Sequence, residues 1–399
     1  MSVAALLGAI SAVGADGRRG GFSRHGFDSA DMQLRAWFTE EAARRGLAVE
    51  TDRNGALWAW WGEPGDDAVV TGSHLDSVPG GGAYDGPLGV AAALVAVDLL
   101  RERGFTPNRP LAVTVFPEEE GGRFGLACLG SRLMTGAVDT AAALRLSDPD
   151  GVTLADALAS AGLDPAHVGR DERALSRIGV FVELHVEQGR GLVDLDAPVG
   201  VAHSILAHGR WRLRFTGEGN HAGATLMADR RDPMVPAAGL VLAARRAATA
   251  IAGSRATVGR IVPVPGGTNV IPSTVDLWLD ARAGDDLRTR AVVAEIEAAA
   301  RELAADEGCA VTVTEESYGD AVVFDAALRE ELSGVLGGVP DLPTGAGHDA
   351  GILAAHVPTA MLFVRNPTGV SHAPEEFASD ADCEAGARAL ADVLAHLAR

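Results

Sequence analysis

The sequence predicts an α/β protein. Residues 1–208 and 319–399 form a discontinuous domain with a mixed, largely parallel sheet flanked by helices, and a smaller ferredoxin-like α+β domain is inserted at 209–318. Three observations predict this. In the first half, short β-branched runs alternate with helical stretches, the rhythm of βαβ units. From about Gly209 the order becomes β-α-β-β-α-β within roughly 110 residues, the split unit of ferredoxin-like folds. After about Tyr318 the first rhythm resumes. A chain of 399 residues is long for one core and comfortable for two, at roughly 100–200 residues per domain.

The elements follow in order. Met1 to Ala15 is apolar but has no basic stretch ahead of it, so it reads as a first helix and not as a signal peptide. Ala68–Gly72 and Leu111–Phe116 are apolar runs of strand length between turn signals, and Leu88–Arg103 between them has helical periodicity. Phe181–Val186 and Val199–Leu206 are further strands. In the insert, Trp211–Phe215 alternates Trp, Leu and Phe with Arg, as a half-buried strand does. Pro233–Ala252 is an Ala-rich helix, and Thr257–Val262 and Val275–Asp280 are strands joined by a Gly/Pro-rich turn. Asp285–Asp306 is an amphipathic helix opening on acidic residues, as the helix dipole favours. Ala310–Thr314 closes the set as a strand. Leu362–Val364 is a strand of the resumed domain, and Asp380–Leu397 a terminal helix.

Composition removes several classes of function. Hydrophobic residues make up 47% of the chain and aromatics 5%, with 49 glycines, the profile of a folded α/β protein. A formal net charge of −20 repels phosphate backbones, so no nucleic-acid partner is expected. There is no lysine: every one of the 34 cationic side chains is Arg. Schiff-base chemistry and a P-loop lysine are thereby excluded. The three cysteines (Cys128, Cys309, Cys383) lie far apart, with neither metal-ligand spacing nor a disulfide framework. No run approaches the ~20 apolar residues of a membrane span. The protein is expected to be cytoplasmic, with no membrane partner.

Five stretches carry chemistry. In Thr71-Gly-Ser-His-Leu-Asp-Ser-Val-Pro79, His74 and Asp76 lie just past a strand's carboxyl end, where open α/β sheets bind ligands, and point the same way. The following Gly-rich loop brings Asp85 round; the plainer alternative is a loop of ordinary surface polar residues. In Phe116-Pro-Glu-Glu-Glu-Gly-Gly-Arg-Phe124, three glutamates again follow a strand. They are either a solvated helix start or a crevice in which one carboxylate binds a cation and its neighbour stays a free base. His185 closes the Phe181–Val186 strand, as a ligand or as a satisfied core residue. Thr344-Gly-Ala-Gly-His-Asp-Ala350 and Gly369-Val-Ser-His-Ala-Pro-Glu375 each set a His in a loop beside a strand. Together these stretches supply the imidazoles and carboxylates of a zinc pair joined by a shared carboxylate.

At this point the chain resembles the dizinc aminoacylase/carboxypeptidase superfamily, through His74-x-Asp76, Tyr84-Asp-Gly86, Glu119-Glu120 and Ser371-His372. Glu183-Leu-His-Val-Glu-Gln-Gly189, Asn220-His-Ala-Gly223 and Gly345-Ala-Gly-His-Asp-Ala350 resemble its amidase/hydantoinase/carbamoylase branch. That branch includes allantoate amidohydrolase, N-carbamoyl-L-amino-acid hydrolases and β-ureidopropionase. The resemblance covers essentially the whole chain. It implies a catalytic domain holding two divalent ions per subunit, Zn2+ first and Mn2+ as the alternative. His74, Asp85 and His185 would hold one ion; Asp85, as the bridge, Glu120 and His372 would hold the other. Glu119 would be the general base, and Asp76 would orient His74. Gln188, Asn269, Arg282 and His348 would bind substrate. The insert would serve as lid and dimerisation domain of a homodimer, with His221 crossing to the partner's site to stabilise the scissile carbonyl or its oxyanion.

Arg282 is also a candidate for gripping a carboxylate on its own chemistry, a guanidinium fork just past a strand. The alternative is an ion pair with Asp280 or Asp285. Departures from the family pattern are Thr225-Leu-Met in place of Thr-Pro, Gly-Gly after Glu120, and an extra cation, Arg365, which either touches substrate or pairs with a surface acid.

The implied activity is hydrolysis of a ureido C–N bond on a small carboxylate. Allantoate is the leading substrate, through the flavour of Pro117–Gly125 and Ala127–Gly130, giving ureidoglycine, ammonia and carbon dioxide. An N-carbamoyl-L-amino-acid hydrolase or β-ureidopropionase is the alternative. A metal-free, non-catalytic scaffold of the same fold is a third, and a peptidase a fourth, against which His185 and Glu187-Gln-Gly189 count.

Overall fold

A computed structural model describes residues 1–399. The chain divides into two compact units, Met1–Ser204 with Val323–Arg399, and Ile205–Val322. The division falls at the last residue of the strand Val199–Ile205 and within the two-residue strand Val322–Val323. The expected boundaries at 209 and 319 cut into the strands Ala207–Thr216 and Ala310–Gly319, which the insert keeps whole. No helix is long and apolar enough to cross a membrane.

In the discontinuous unit the main sheet contains β1 (Ala48–Thr51), β2 (Leu57–Trp61), β3 (Ala68–His74), β4 (Leu111–Phe116), β5 (Ile178–Val186), β6 (Val199–Ile205) and β7 (Thr359–Val364). Their order across the sheet is β1-β2-β4-β3-β5-β7-β6. The central four, β4, β3, β5 and β7, run parallel, and the flanking strands pair antiparallel. Strands buried on both faces need continuous apolar runs and not alternation, and β3, β4 and β7 are buried at every position. β2 is likewise a continuous apolar run, Leu57-Trp-Ala-Trp-Trp61, buried at all but its last position, while β1, four residues exposed at both ends, carries neither signal.

The helix Pro87–Glu102 opens with proline at its first turn and is buried from Pro87 to Val97, its Ala-rich face lying against β3 and β5. The terminal helix Asp380–Leu397 starts on a Ser379 cap and packs against Pro87–Glu102 and β7. The helix expected over the first fifteen residues is shorter, Val3–Ala9. A consequence of the parallel arrangement decides where chemistry can occur. The carboxyl ends of β3, β4, β5 and β7 lie on one edge, so the segments that begin at His74, Pro117, His185 and Arg365 emerge side by side.

The inserted unit is a four-stranded antiparallel sheet in the order 310–319, 207–216, 274–283, 255–264, with the helices Met234–Ala250 and Asp286–Asp306. This is the ferredoxin-like arrangement the element order predicts. Alternation along Ala207–Thr216 buries Trp211, Leu213 and Phe215 against Leu240, Val275, Leu277, Val292 and Ile296. Asp285 caps the second helix by accepting the Arg288 N–H at 2.7 Å. A short ribbon, Asn220–His221 against Val270–Ile271, leads from the same unit.

Candidate metal centre

Each ligand candidate is placed by a strand end. His74 is the last residue of β3, and its ring Nδ1–H donates to the Asp76 carbonyl at 3.0 Å. His185, next to last in β5, donates Nδ1–H to the Val186 carbonyl at 2.9 Å. Both rings are therefore held in the tautomer whose Nε2 carries a bare lone pair. Both Nε2 atoms are buried and have no hydrogen-bond partner. The loop after β3 returns past His74 at Gly86, where φ is +83° and a Cβ would sit 2.5 Å from the imidazole; only glycine lets Asp85 come this close.

Asp85 Oδ1 lies 3.5 Å from His74 Nε2 and 3.2 Å from His185 Nε2. Asp85 Oδ2 lies 3.5 Å from His372 Nε2, which is 3.2 Å from Glu120 Oε2. Two trios thus have ligand atoms within 4.8 Å of one another, His74–Asp85–His185 and Asp85–Glu120–His372, and they share one aspartate. Gln188 donates to Asp85 Oδ2 at 2.7 Å and Ser371 at 3.3 Å. Glu183, His185 and His348 form a third close group, but both Glu183 oxygens already accept bonds, from the Ser73 hydroxyl and the Ala350 N–H. His348 stands with its ring 4.5 Å from that of His185, buried, with neither nitrogen partnered.

The three glutamates after β4 divide their work. Glu118, with φ +53°, folds back so that its carboxylate accepts the N–H groups of Gly26, Arg123 and Phe124 at 2.8–3.0 Å. It is a structural staple. Glu119 puts Oε2 3.6 Å from His74 Nε2, and its Oε1 accepts the Cys128 thiol at 3.3 Å. Glu120 faces His372. The Asp76 carboxylate does not orient His74: its nearer oxygen is 3.7 Å from Nδ1, and instead it accepts the backbone N–H groups of Glu119 and Glu120 at 3.1 and 3.0 Å. The main chain of Asp76 fixes the imidazole, and its side chain fixes the turn carrying the two glutamates.

Charge in this pocket is lopsided. Asp76, Asp85, Glu119, Glu183, Asp349 and Glu376 are all buried. Burial pushes Glu119 well above the ordinary carboxylate range, partly offset by His74; burial likewise raises Asp76, and lifts Asp349 and Glu376 to about 7. Burial opposes charge on His74 and His185 too, yet neighbouring carboxylates, chiefly Glu119 for His74 and Asp85 for His185, hold both above the usual value. Asp85, despite burial, is held well below its usual value by His185 and His74. The hydrogen bond to Glu120 lifts His372 to about 9. His348 goes the other way, pushed down by burial and by His185. A buried group of acids with bare imidazole lone pairs aimed at it fits divalent cations, which supply the positive charge that protons on histidine otherwise must.

The other expected residues belong to the inserted unit. His221 Nδ1 accepts the N–H groups of Gly223 and Ala224 at 3.1 and 3.2 Å, which leaves its proton on the exposed Nε2. The ribbon sets Asn269 beside it, the Ala222 N–H donating to the Asn269 carbonyl at 3.0 Å. Arg282 makes a bidentate pair with Asp280 at 2.7 and 2.9 Å, one of the two partners its position allows. Arg365 pairs with Asp382 at 2.8 Å and with Asp196, so its cation is engaged by acids and not by the pocket.

The sequence alone assigns no role to Glu376, Cys128, Ser131 or Ser371. The Ser131 hydroxyl donates to Asp349 at 2.5 Å. Ser371 and Glu376 have a local signal, their places within and directly after the Gly369–Glu375 stretch.

Known proteins can be set beside this geometry. The model of peptidase family M20/M25/M40 matches residues 70–396. The chain belongs to this family. It is 36% identical over 389 residues to an N-carbamoyl-L-amino acid amidohydrolase of Geobacillus stearothermophilus, covering 95% of this chain and 94% of that protein. It is 33% identical over 343 residues to an allantoate amidohydrolase of Bacillus subtilis, covering 84% and 82%. A solved hydantoinase/carbamoylase-family amidase from Burkholderia vietnamiensis superposes with a TM-score of 0.87 at 31% identity, over 99% of this chain and 96% of that one. The fold class and the family resemblance read from sequence stand with these likenesses.

Proposed function

We propose that this M20-family protein is a binuclear metal amidohydrolase cleaving the ureido C–N bond of a small carboxylate. The carrying observation is that two ligand trios share Asp85 while Glu119, a member of neither, lies beside them. His74, Asp85 and His185 hold one ion and Asp85, Glu120 and His372 the other, Zn2+ first and Mn2+ second. When bound, the pair supplies Lewis-acid polarisation of the ureido carbonyl and a lowered pKa for the attacking water. Glu119 Oε2 takes the water's proton and returns it to the leaving nitrogen. Its raised affinity for a proton, from burial, suits both halves of that transfer.

His348 and Gln188 border the same ligands and orient the ureido group. Arg282 and Asn269 hold the substrate carboxylate, Arg282 exchanging its Asp280 partner for it. His221 presents Nε2–H to the carbonyl oxygen of the partner's substrate in a homodimer formed by the inserted unit. Exposed Val235 and Leu242, one face of the helix Met234–Ala250, and exposed Ile261 and Val264 on the edge strand Arg255–Val264 support that assembly.

Allantoate is the substrate we place first, on the Pro117–Gly130 stretch and the likeness to the Bacillus subtilis enzyme. The likeness to the Geobacillus stearothermophilus enzyme favours N-carbamoyl-L-amino acids as the second reading. Turnover of metal-reconstituted protein on allantoate and on a panel of N-carbamoyl-L-amino acids decides between them: ammonia release from allantoate is expected, and turnover of the panel alone would transfer the assignment to the second reading. No turnover of any ureido acid, with no metal bound, would remove both.

A further inference from the structure

The loops carrying Asp85 and His372 come from opposite ends of the chain, and one buried side chain joins them. Glu376, 4% exposed, accepts the backbone N–H groups of Tyr84 at 3.0 Å and Asp85 at 2.9 Å on a single oxygen, Oε1. The fit is close: a Cβ at Gly82 would fall 2.3–2.5 Å from the Glu376 side chain, so the glycine there is what admits the carboxylate. On its own side Glu376 is rigidly placed. Its N–H donates to Ala373, one residue after His372, and the loop is braced by Asn366, fully buried, whose Oδ1 accepts the N–H groups of Thr368 and Gly369. Thr368 in turn reaches the Glu375 carbonyl.

We propose that Glu376 is a positioning residue that locks the Asp85 loop to the His372 loop, so that the shared aspartate and the last histidine arrive at the cation pair as one unit. Asp85 has its carboxylate in both trios, so a rotation of its main chain moves it relative to every other ligand at once. Two N–H groups gathered on one acceptor oppose that rotation. The acceptor oxygen, not the charge, does the holding. A side chain one methylene shorter withdraws the oxygen, and an amide of the same length keeps it.

The inference rests on the two-cation reading and is tested so that the two fail separately. Zn2+ affinity is titrated against a competing chelator dye for the parent, Glu376→Gln, Glu376→Asp and Glu376→Ala, with far-UV circular dichroism of each. Glu376→Gln is expected to bind within threefold of the parent. Glu376→Asp and Glu376→Ala are expected to lose about 10- to 100-fold, the cost typical of removing a ligand's hydrogen-bonded support. A parent that binds no Zn2+ refutes the two-cation reading itself. A parent that binds, with Glu376→Asp and Glu376→Ala folded and equally tight, refutes only the role of Glu376. Glu376→Gln falling as far as Glu376→Ala would assign the effect to charge and overturn the proposal as well. Gly82→Ala, which drives a methyl into the Glu376 carboxylate, checks the same contact from the other loop and should weaken binding in the direction of Glu376→Ala.

Discussion

Replacing Glu119 by Gln separates chemistry from metal binding. The amide has the size of the carboxylate, and its oxygen can still accept the Cys128 thiol that reaches Oε1 at 3.3 Å. At the other end an NH2 replaces the oxygen now 3.6 Å from His74 Nε2, so the proton acceptor is gone. A positioned general base contributes about 10²–10⁴ in rate, and Glu119 has no neighbour able to substitute: Glu118 is committed to three backbone donors and Glu120 to His372. We expect kcat to fall about 10³-fold, roughly 4 kcal/mol on the barrier at ~1.36 kcal/mol per decade. Metal content should stay at the parent level, because Glu119 is in neither trio. Stability has the opposite sign from activity. Burial raises the Glu119 pKa, so a neutral amide relieves a desolvated acid, and the thermal midpoint should not drop. The assays are ammonia release, metal analysis and thermal unfolding on one preparation. Activity above a tenth of the parent would take the base role from Glu119, and metal lost in proportion to activity would make it a ligand instead.

Asp85→Asn should remove both ions, since both trios contain Asp85; a variant retaining one tightly bound ion would show that the aspartate does not bridge. In chelated protein, the His372 pKa of about 9 lies above its unfolded value near 6.5. Its stabilising contribution is therefore full below pH 6.5 and lost as pH rises through 9. Binding must expel that proton, so metal affinity should climb across the same window, and titration calorimetry in buffers of different ionisation enthalpy should register proton release. Mixed dimers of Glu119→Gln and His221→Ala subunits should regain activity, because one hybrid site holds both groups; hybrids that stay dead would refute the cross-subunit placement. Arg365→Ala should leave kcat and KM within twofold and cost no more than about 1 kcal/mol of stability, as expected of a partly exposed pair with Asp382. A KM raised tenfold would return Arg365 to the substrate.

What could be read from sequence follows periodicity and strand ends. The insert was legible because Ala207–Thr216 and Thr274–Ala283 alternate cleanly and Asp285–Asp306 is amphipathic. His74, His185 and Glu119–Glu120 were legible because they follow apolar runs, and in a parallel sheet such runs end on one edge. β1 was not, since four residues at the sheet's edge, exposed at both ends, show neither an apolar run nor a period, and β2, although a continuous apolar run, is absent from the strands expected from sequence. Glu376 and Cys128 escaped for another reason. Their roles depend on partners 291 and 9 residues away, reached only through loops, and no local spacing encodes such a meeting. Asp76 was found by its neighbourhood to His74 but supports it through its carbonyl, a distinction that one-dimensional spacing does not carry.

The place of β7 has a consequence for biosynthesis. This strand lies between β5 and β6, yet it is made more than 150 residues after both. A nascent chain that has emerged from the ribosome as far as the insert has β5 with one flank unpaired and a slot that only the last segment can fill. The first trio is already encoded by then, while His372 is still untranslated. Vectorial folding of this unit therefore waits for its C-terminal segment, and until that arrives the bare edge of β5 is where chaperone protection, or misassembly between nascent chains, will concentrate.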